Sequence, residues 1–423
     1  MNLFFYIVLF ALIIDFALES VANILNLKAL RLEMPPRLRD VYKPEEYRRS
    51  QEYARTATRF HFVTSTFNLV ILLAFWFSGG FNYLDVVVRG WGFNPIINGL
   101  IYIGILLLAY SLLTLPFSIY ATFVIEQRFG FNRTTPRTFI TDRLKGLALS
   151  VLLGGPLLAG VLALFQYAGN FAWLYCWIAV TLVSLVIEYV APTWIMPLFN
   201  KFTTMPAGPL REAILEYAIS VKFPVKNLFV MDGSKRSTRS NAFFTGFGRN
   251  KRIALFDTLI EKHPTPELVA VLAHEIGHYK KKHILIGTLI GIAHTGVLFF
   301  LLSIFLHSQG LYQAFYMEQP SVYAGLLFFG LLYTPIELVL SIIMQAVSRR
   351  NEYAADRFAA ETYQPQGLVE ALKKLSTHNL SNLTPHPFYV FLNYSHPPLL
   401  QRIEAVRRYE KLKTESSPLS QSA

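Results

Sequence analysis

A chain of 423 residues with a formal charge of +12 has the length of about two or three soluble domains and the charge of a partner for nucleic acid or acidic lipid. Its composition excludes the soluble reading. Apolar residues make up 53 % and charged residues only 16 %, against about 25 % in ordinary soluble domains, and mean hydropathy is +0.37. No nucleic-acid-binding motif is present, and the single cysteine, Cys176, lies in an apolar run and excludes an intrachain disulfide.

Seven runs reach the roughly 20 apolar residues needed to cross hydrocarbon: 3–25, 61–80, 98–125, 147–168, 171–194, 283–306 and 322–346. The first lacks a basic leader and a small-residue cleavage site and carries Asp15 and Glu19, so it reads as a retained helix rather than a signal peptide. Lysine and arginine set the orientation. Thirty-eight of the 39 fall in segments 26–60, 126–146, 195–282 and 347–423, which alternate with nearly uncharged connections. The positive-inside rule makes those four segments cytoplasmic, with the N-terminus outside. The net charge is therefore an orientation signal.

Asp15, Glu19, Glu188, His294 and Glu337 (beside Pro335) lie within spans, where an ionisable group costs at least ~2.5 kcal/mol unless paired or hydrated. They pair across helices or line a watery cavity. "LGGPLLAG" (153–160) predicts a kink or a close helix contact. The chain divides into 1–197 with five spans, 198–282 as a cytoplasmic segment, 283–347 with two spans, and 348–423 as a cytoplasmic C-terminal segment whose tail, from 414, has disordered composition.

Within 198–282, "SKRSTRSNAFFTGFGRNKRIALFDTLI" (234–260) predicts extended Asn241–Phe244, a turn over Gly246–Lys251, and extended Arg252–Phe256. A helix follows, with Thr265 as N-cap, Pro266 at its first position and Glu267 in its first turn. That helix carries His274, Glu275 and His278. Histidines four apart share one helix face, and H-E-x-x-H is the pattern in which two imidazoles hold Zn²⁺ while the glutamate acts as general base. The competing reading is a polar patch at headgroup level.

A catalytic zinc needs a third protein ligand and one open position. After the seventh span, Glu352 and Asp356 are again four apart. Glu352 suits the metal, and Asp356 suits the distal N–H of a ligand histidine, fixing its tautomer. Alternatively they form an exposed face countered by Arg349, Arg350 and Arg357. His283 and His294 fall outside the ligand pattern and read as structural.

"HEIGHYKKKH", "NEYAAD", "NAFFTGFGRNKRIALFDTL", "WIMPLFNKF" (194–202), "EQRFGFNRTT" (126–135) and "SHPPLLQRI" (395–403) together resemble the integral membrane zinc metalloproteases of the CAAX prenyl protease 1 type. The resemblance runs from about residue 30 to about 410. It implies an all-α multi-pass fold: seven transmembrane helices around a large intramembrane chamber, with a small α/β cytoplasmic zinc-protease domain at its cytoplasmic end. The ligand helix would then run straight into the sixth span. The resemblance further implies that His274, His278 and Glu352 ligate one zinc ion and that Glu275 is the base. Asn241 and Ala242 would pair with extended substrate by β-augmentation, and His396 would face substrate and stabilise the oxyanion. Asp356 and Arg402 would be supporting residues.

The expected activity is peptide-bond hydrolysis, on the model of a protease removing three C-terminal residues after a prenylated cysteine. A quality-control protease acting on non-prenylated membrane proteins shares every one of these residues. A seven-helix transporter or channel is the non-enzymatic alternative. Substrate would be a peptide or protein, prenylated or not. Because no C-terminal dilysine signal is seen, a prokaryotic inner membrane is favoured over the endoplasmic reticulum.

Overall fold

The computed structural model describes residues 1–31, 33–225, 227–245 and 252–415. Among them are seven helices long and apolar enough to cross a membrane: Leu3–Ala29, Pro44–Phe77, Pro95–Glu126, Pro136–Tyr167, Gly169–Leu198, His283–Phe305 and Val322–Thr362. Several begin on local signals. The side chains of Asn2, Asn94, Thr135 and Ser321 accept from the orphan amides of the first turn, and Pro95 and Pro136 follow two of those caps. In the fourth span a π-helical stretch, Ser150–Gly154, interrupts the helix just before Pro156. Nothing lies within 4 Å of where a Cβ would stand on Gly154, Gly155 or Gly160. "LGGPLLAG" is therefore an irregular helix segment, and its glycines make no close helix contact.

The bundle is packed at one end and open at its waist. Trp76, at the end of the second span, is fully buried, stacks on Phe315 at 4.7 Å and donates from its indole to the Ala314 carbonyl. Phe315 in turn stacks on Phe328 at 3.9 Å. At the waist the residues of 107–113, 150–154 and 182–186 are all exposed, as are 284–287 where the sixth span begins. A helix turns once in 3.6 residues, so each run is uncovered on every face. Lipid accounts for the outer face; the inner face borders a chamber. Several ionisable residues of the spans contact neighbouring helices. Glu19 pairs with His61 at 3.1 Å, and His294 lies 3.1 Å from the Tyr333 hydroxyl and 3.5 Å from Glu337. Glu188 lines a cleft with Thr181, Ser184, Thr288 and Thr295. Glu19, His294 and Glu337 thus pair across helices, and Glu188 lines a cleft between spans.

The part outside the spans is built on a four-stranded sheet. Strands β1 (Phe202–Thr204), β2 (Asn227–Met231), β3 (Ala242–Thr245) and β4 (Arg252–Phe256) lie in the order β1-β2-β4-β3. β2 and β4 are parallel, the other two pairs antiparallel, and β3 is an edge. The predicted turn at Gly246–Lys251 and the tail from 416 lie outside the described residues.

The helix carrying H-E-x-x-H spans Thr265–Lys280. It starts one residue earlier than its sequence suggests: Thr265 is already helical, and Pro264 is the extended residue before it. Ten of its sixteen residues are buried, which excludes a headgroup-level patch. It also does not run straight into the sixth span. Lys282 adopts the left-handed conformation, with φ of 59°, and the chain turns there before His283 opens the new helix. The seventh span behaves differently, continuing unbroken for 41 residues to Thr362.

Candidate metal centre

Two helices meet to make the site, and a glycine sets how closely. A Cβ on Gly277 would stand 3.1 Å from the Ala355 backbone and 3.3 Å from Phe358. Glycine inside a helix costs about 1 kcal/mol relative to alanine, a cost offset here because it lets the two backbones touch. That contact brings His274 and His278 opposite Glu352.

His274 Nε2 and His278 Nε2 are 3.1 Å apart, and they lie 3.5 and 3.3 Å from the Glu352 oxygens. Ligand atoms about 2.0–2.1 Å from a tetrahedral ion are separated from one another by roughly 3.3 Å. Each imidazole faces a different Glu352 oxygen, and the three groups lie close enough together to share one ion. Glu352 is 3 % exposed, and its Oε2 has no donor aligned on it as a hydrogen bond, although His396 Nδ1 (2.9 Å) and Arg402 Nη1 (3.2 Å) lie close. A buried carboxylate oxygen with unused acceptor capacity beside two imidazoles is a donor set suited to a divalent cation.

The outer partners fix the ligands. Asp356 Oδ1 is 2.9 Å from His274 Nδ1, which leaves Nε2 bare for a metal. Arg402 holds Asp356 with two bonds of 2.6 and 2.8 Å. Burial alone would lower Arg402, and the charge and hydrogen bonds of Asp356 outweigh it, so the guanidinium is held above its usual range. Two of the three arginines suggested as counter-ions are engaged elsewhere: Arg349 donates to the Val390 and Tyr394 carbonyls, and Arg357 pairs with Glu361.

Glu275 lines a pocket of about 130 Å³ with His274, Glu352, His396, Arg402, Asn241 and Ala242. Its remaining walls are Leu259, Val271, Leu368, Leu372 and Leu375. Burial pushes the Glu275 carboxyl up; the neighbouring His274 and His278 pull it back, Glu352 adds to the rise and Arg402 opposes it. Ala242 opens the edge strand, and the Asn241 carbonyl extends the pairing by accepting from Phe256 N–H at 3.1 Å. His396 stands at the pocket's rim and is exposed rather than buried.

Two contributions escape the sequence reading. His283 Nδ1 is 3.1 Å from His278 Nδ1, so it does for His278 what Asp356 does for His274. No spacing rule reveals this, because the contact depends on the corner at Lys282. The second is the strap at 130–134. Thr238 N–H donates to Phe131 O, Arg133 N–H donates to Arg236 O, and Asn132 bridges Ser237. Arg239, 4.3 Å over the Phe131 ring, ion-pairs with Glu126. The strap thereby fixes the chain just before the edge strand.

Comparison with known proteins agrees with this geometry. The CAAX prenyl protease N-terminal family, described as five membrane helices, matches residues 23–201, and peptidase family M48 matches residues 205–410. The CAAX prenyl protease 1 homolog of Arabidopsis thaliana is 37 % identical, with 95 % of this chain and 96 % of the relative covered. CAAX prenyl protease 1 of Saccharomyces cerevisiae is 34 % identical, with 93 % of each covered. The crystal structure of S. mikatae Ste24p superposes with a TM-score of 0.90 at 33 % identity, covering 96 % of this chain and 99 % of that one. A transporter or channel reading is thereby set aside. The chain belongs to peptidase family M48, as a multi-pass membrane metallopeptidase of the CAAX prenyl protease 1 group.

Proposed function

We propose that this protein is a zinc endopeptidase that cuts prenylated C-a-a-X proteins at the cytoplasmic mouth of its chamber. The observation that carries the chemistry is the convergence of His274, His278 and Glu352 within reach of one ion. Zinc held by these three would polarise the scissile carbonyl and bring the pKa of a water towards 7. Glu275, next in sequence to His274 and facing the same pocket, is positioned to accept a proton from the attacking water and would return it to the leaving amine. Asn241 and Ala242 align extended substrate along the edge of β3, as an added strand would lie. His396, at the rim, donates to the developing oxyanion, a contribution of about 3 kcal/mol. Asp356 and Arg402 hold His274 in the tautomer the reaction needs.

The apolar walls at Leu259, Val271, Leu368 and Leu372 suit the aliphatic residues of a C-a-a-X sequence. The open apolar waist gives a prenyl chain somewhere to go, which favours a lipidated substrate over a non-prenylated one. The alternation of basic segments supports a cytoplasmic position for the site. Incubation of purified protein with a farnesylated C-a-a-X peptide should release the last three residues, read by mass. Glu275→Gln should keep its metal and lose turnover. Equal cleavage of the farnesylated and unmodified peptides would refute the substrate assignment, and hydrolysis surviving in Glu275→Gln would refute the mechanism.

A further inference from the structure

The edge of the sheet opposite β3 carries a second site. Where the fifth span ends, it unwinds through a π-helical segment, Ala191–Ile195, and a 3-10 turn, Met196–Leu198. Unwinding leaves carbonyls without helical partners, and cations from three other parts of the chain take them. Lys145 Nζ donates to Leu198 O at 2.7 Å, Lys235 Nζ to Phe199 O at 3.3 Å, and Arg252 to Pro192 O at 3.2 Å. Aromatic rings hold two of them in place. Arg252 lies 5.2 Å from the Phe229 ring centroid, and Lys145 lies 5.9 Å from that of Phe199.

Lys235 and Arg252, with Lys201, Asn200, Phe202 and Phe229, surround a pocket of about 530 Å³. Among the described residues no carboxylate lines it. Asp142, which faces Lys145 and Lys235, is occupied by the two hydrogen bonds of Arg236, and Asp232 by Asn200 and the Lys201 amide. Beside the pocket, Trp194 is 71 % exposed and Leu198 47 % exposed on the span itself. An indole at the end of a span marks the headgroup level of a bilayer, and basic pockets between spans at that level suit anionic headgroups.

We propose that this pocket binds the phosphate of an anionic phospholipid, with its acyl chains lying along the fifth span. The headgroup bridges the span end, through residues 197–201, to strands β2 and β4. It thereby ties the catalytic sheet to the leaflet, reaching β4, the strand that pairs with the edge at which substrate is aligned. A lipid phosphodiester and free phosphate share the charge, but only the lipid can use the apolar flank at Trp194 and Leu198.

The test is binding to the full chain in neutral detergent, with three probes: short-chain phosphatidylglycerol, phosphatidylcholine of the same chain length, and inorganic phosphate. Phosphatidylglycerol should bind at least ~10-fold more tightly than either of the others. The double variant Lys201→Ala/Lys235→Ala should lose that preference by on the order of 10-fold, while Arg407→Ala/Arg408→Ala, two exposed cations on the final helix, keeps it. The double variant should also keep the metal content of the parent. Equal binding of the two lipids, equal binding of inorganic phosphate, or the same loss in both double variants would overturn the proposal. The comparison of probes on the parent protein stands even where a variant fails to fold.

Discussion

The two helices that carry the candidate metal-binding side chains reach the membrane boundary in opposite ways. Thr265–Lys280 belongs to the soluble core: its buried face packs among Leu228, Leu255 and Leu368, and it stops at Lys282 before the sixth span begins. Val322–Thr362 is the seventh span itself, carried on without a break until Glu352 and Asp356 face the histidines. One half of the site is therefore placed by core packing and the other by a rigid rod anchored in the bundle. The difference teaches that the metal centre is a joint between chamber and catalytic domain. Distorting either half should move one ligand set against the other.

The largest effect is expected from breaking the rod. Ala346→Pro, at an exposed position between the bundle and Glu352, removes a helical hydrogen bond and bends the helix, at a cost of about 3 kcal/mol. Metal affinity, measured against a competing chelator, should fall on the order of 100-fold. Next comes the contact between the two helices. Gly277→Val pushes against the Ala355 backbone and should destabilise the domain by about 1–3 kcal/mol in thermal unfolding, with metal lost at lower temperature. Smaller still are the outer partners of the imidazoles. Asp356→Asn should weaken metal binding roughly 10- to 100-fold, and His283→Leu about 10-fold. If His283→Leu proved silent while Asp356→Asn was not, the corner would matter only for direction. The smallest effect sharpens the comparison from the other side. Lys282→Gly relieves a left-handed non-glycine residue and should raise stability by about 1 kcal/mol with turnover unchanged.

What the sequence revealed follows from which interactions are local. The seven spans are legible because each is a continuous apolar run, and the alternation of basic segments checks their number. The candidate ligands His274, His278 and Glu352 are legible because pairs four apart on a helix share a face. Arg402 and His396 come from a segment far along the chain, so only the family resemblance pointed to them. Gly277 was open to inference: a glycine within a strongly helical stretch signals close approach. The corner at Lys282 was not, since three successive lysines carry no turn signal, and the contact between His283 and His278 was hidden with it. The strap at 130–134 stood out as a motif, but its partner lies a hundred residues on, where no periodicity could point.

The central claim is that two independently placed helices hold one hydrolytic metal ion. Anomalous diffraction at the zinc absorption edge, on crystals of the purified protein, tests it most directly. A single peak about 2.0–2.2 Å from His274 Nε2, His278 Nε2 and a Glu352 oxygen is the result expected. A peak bound by the two histidines with Glu352 turned away, or no peak in a preparation that hydrolyses peptide, would contradict it.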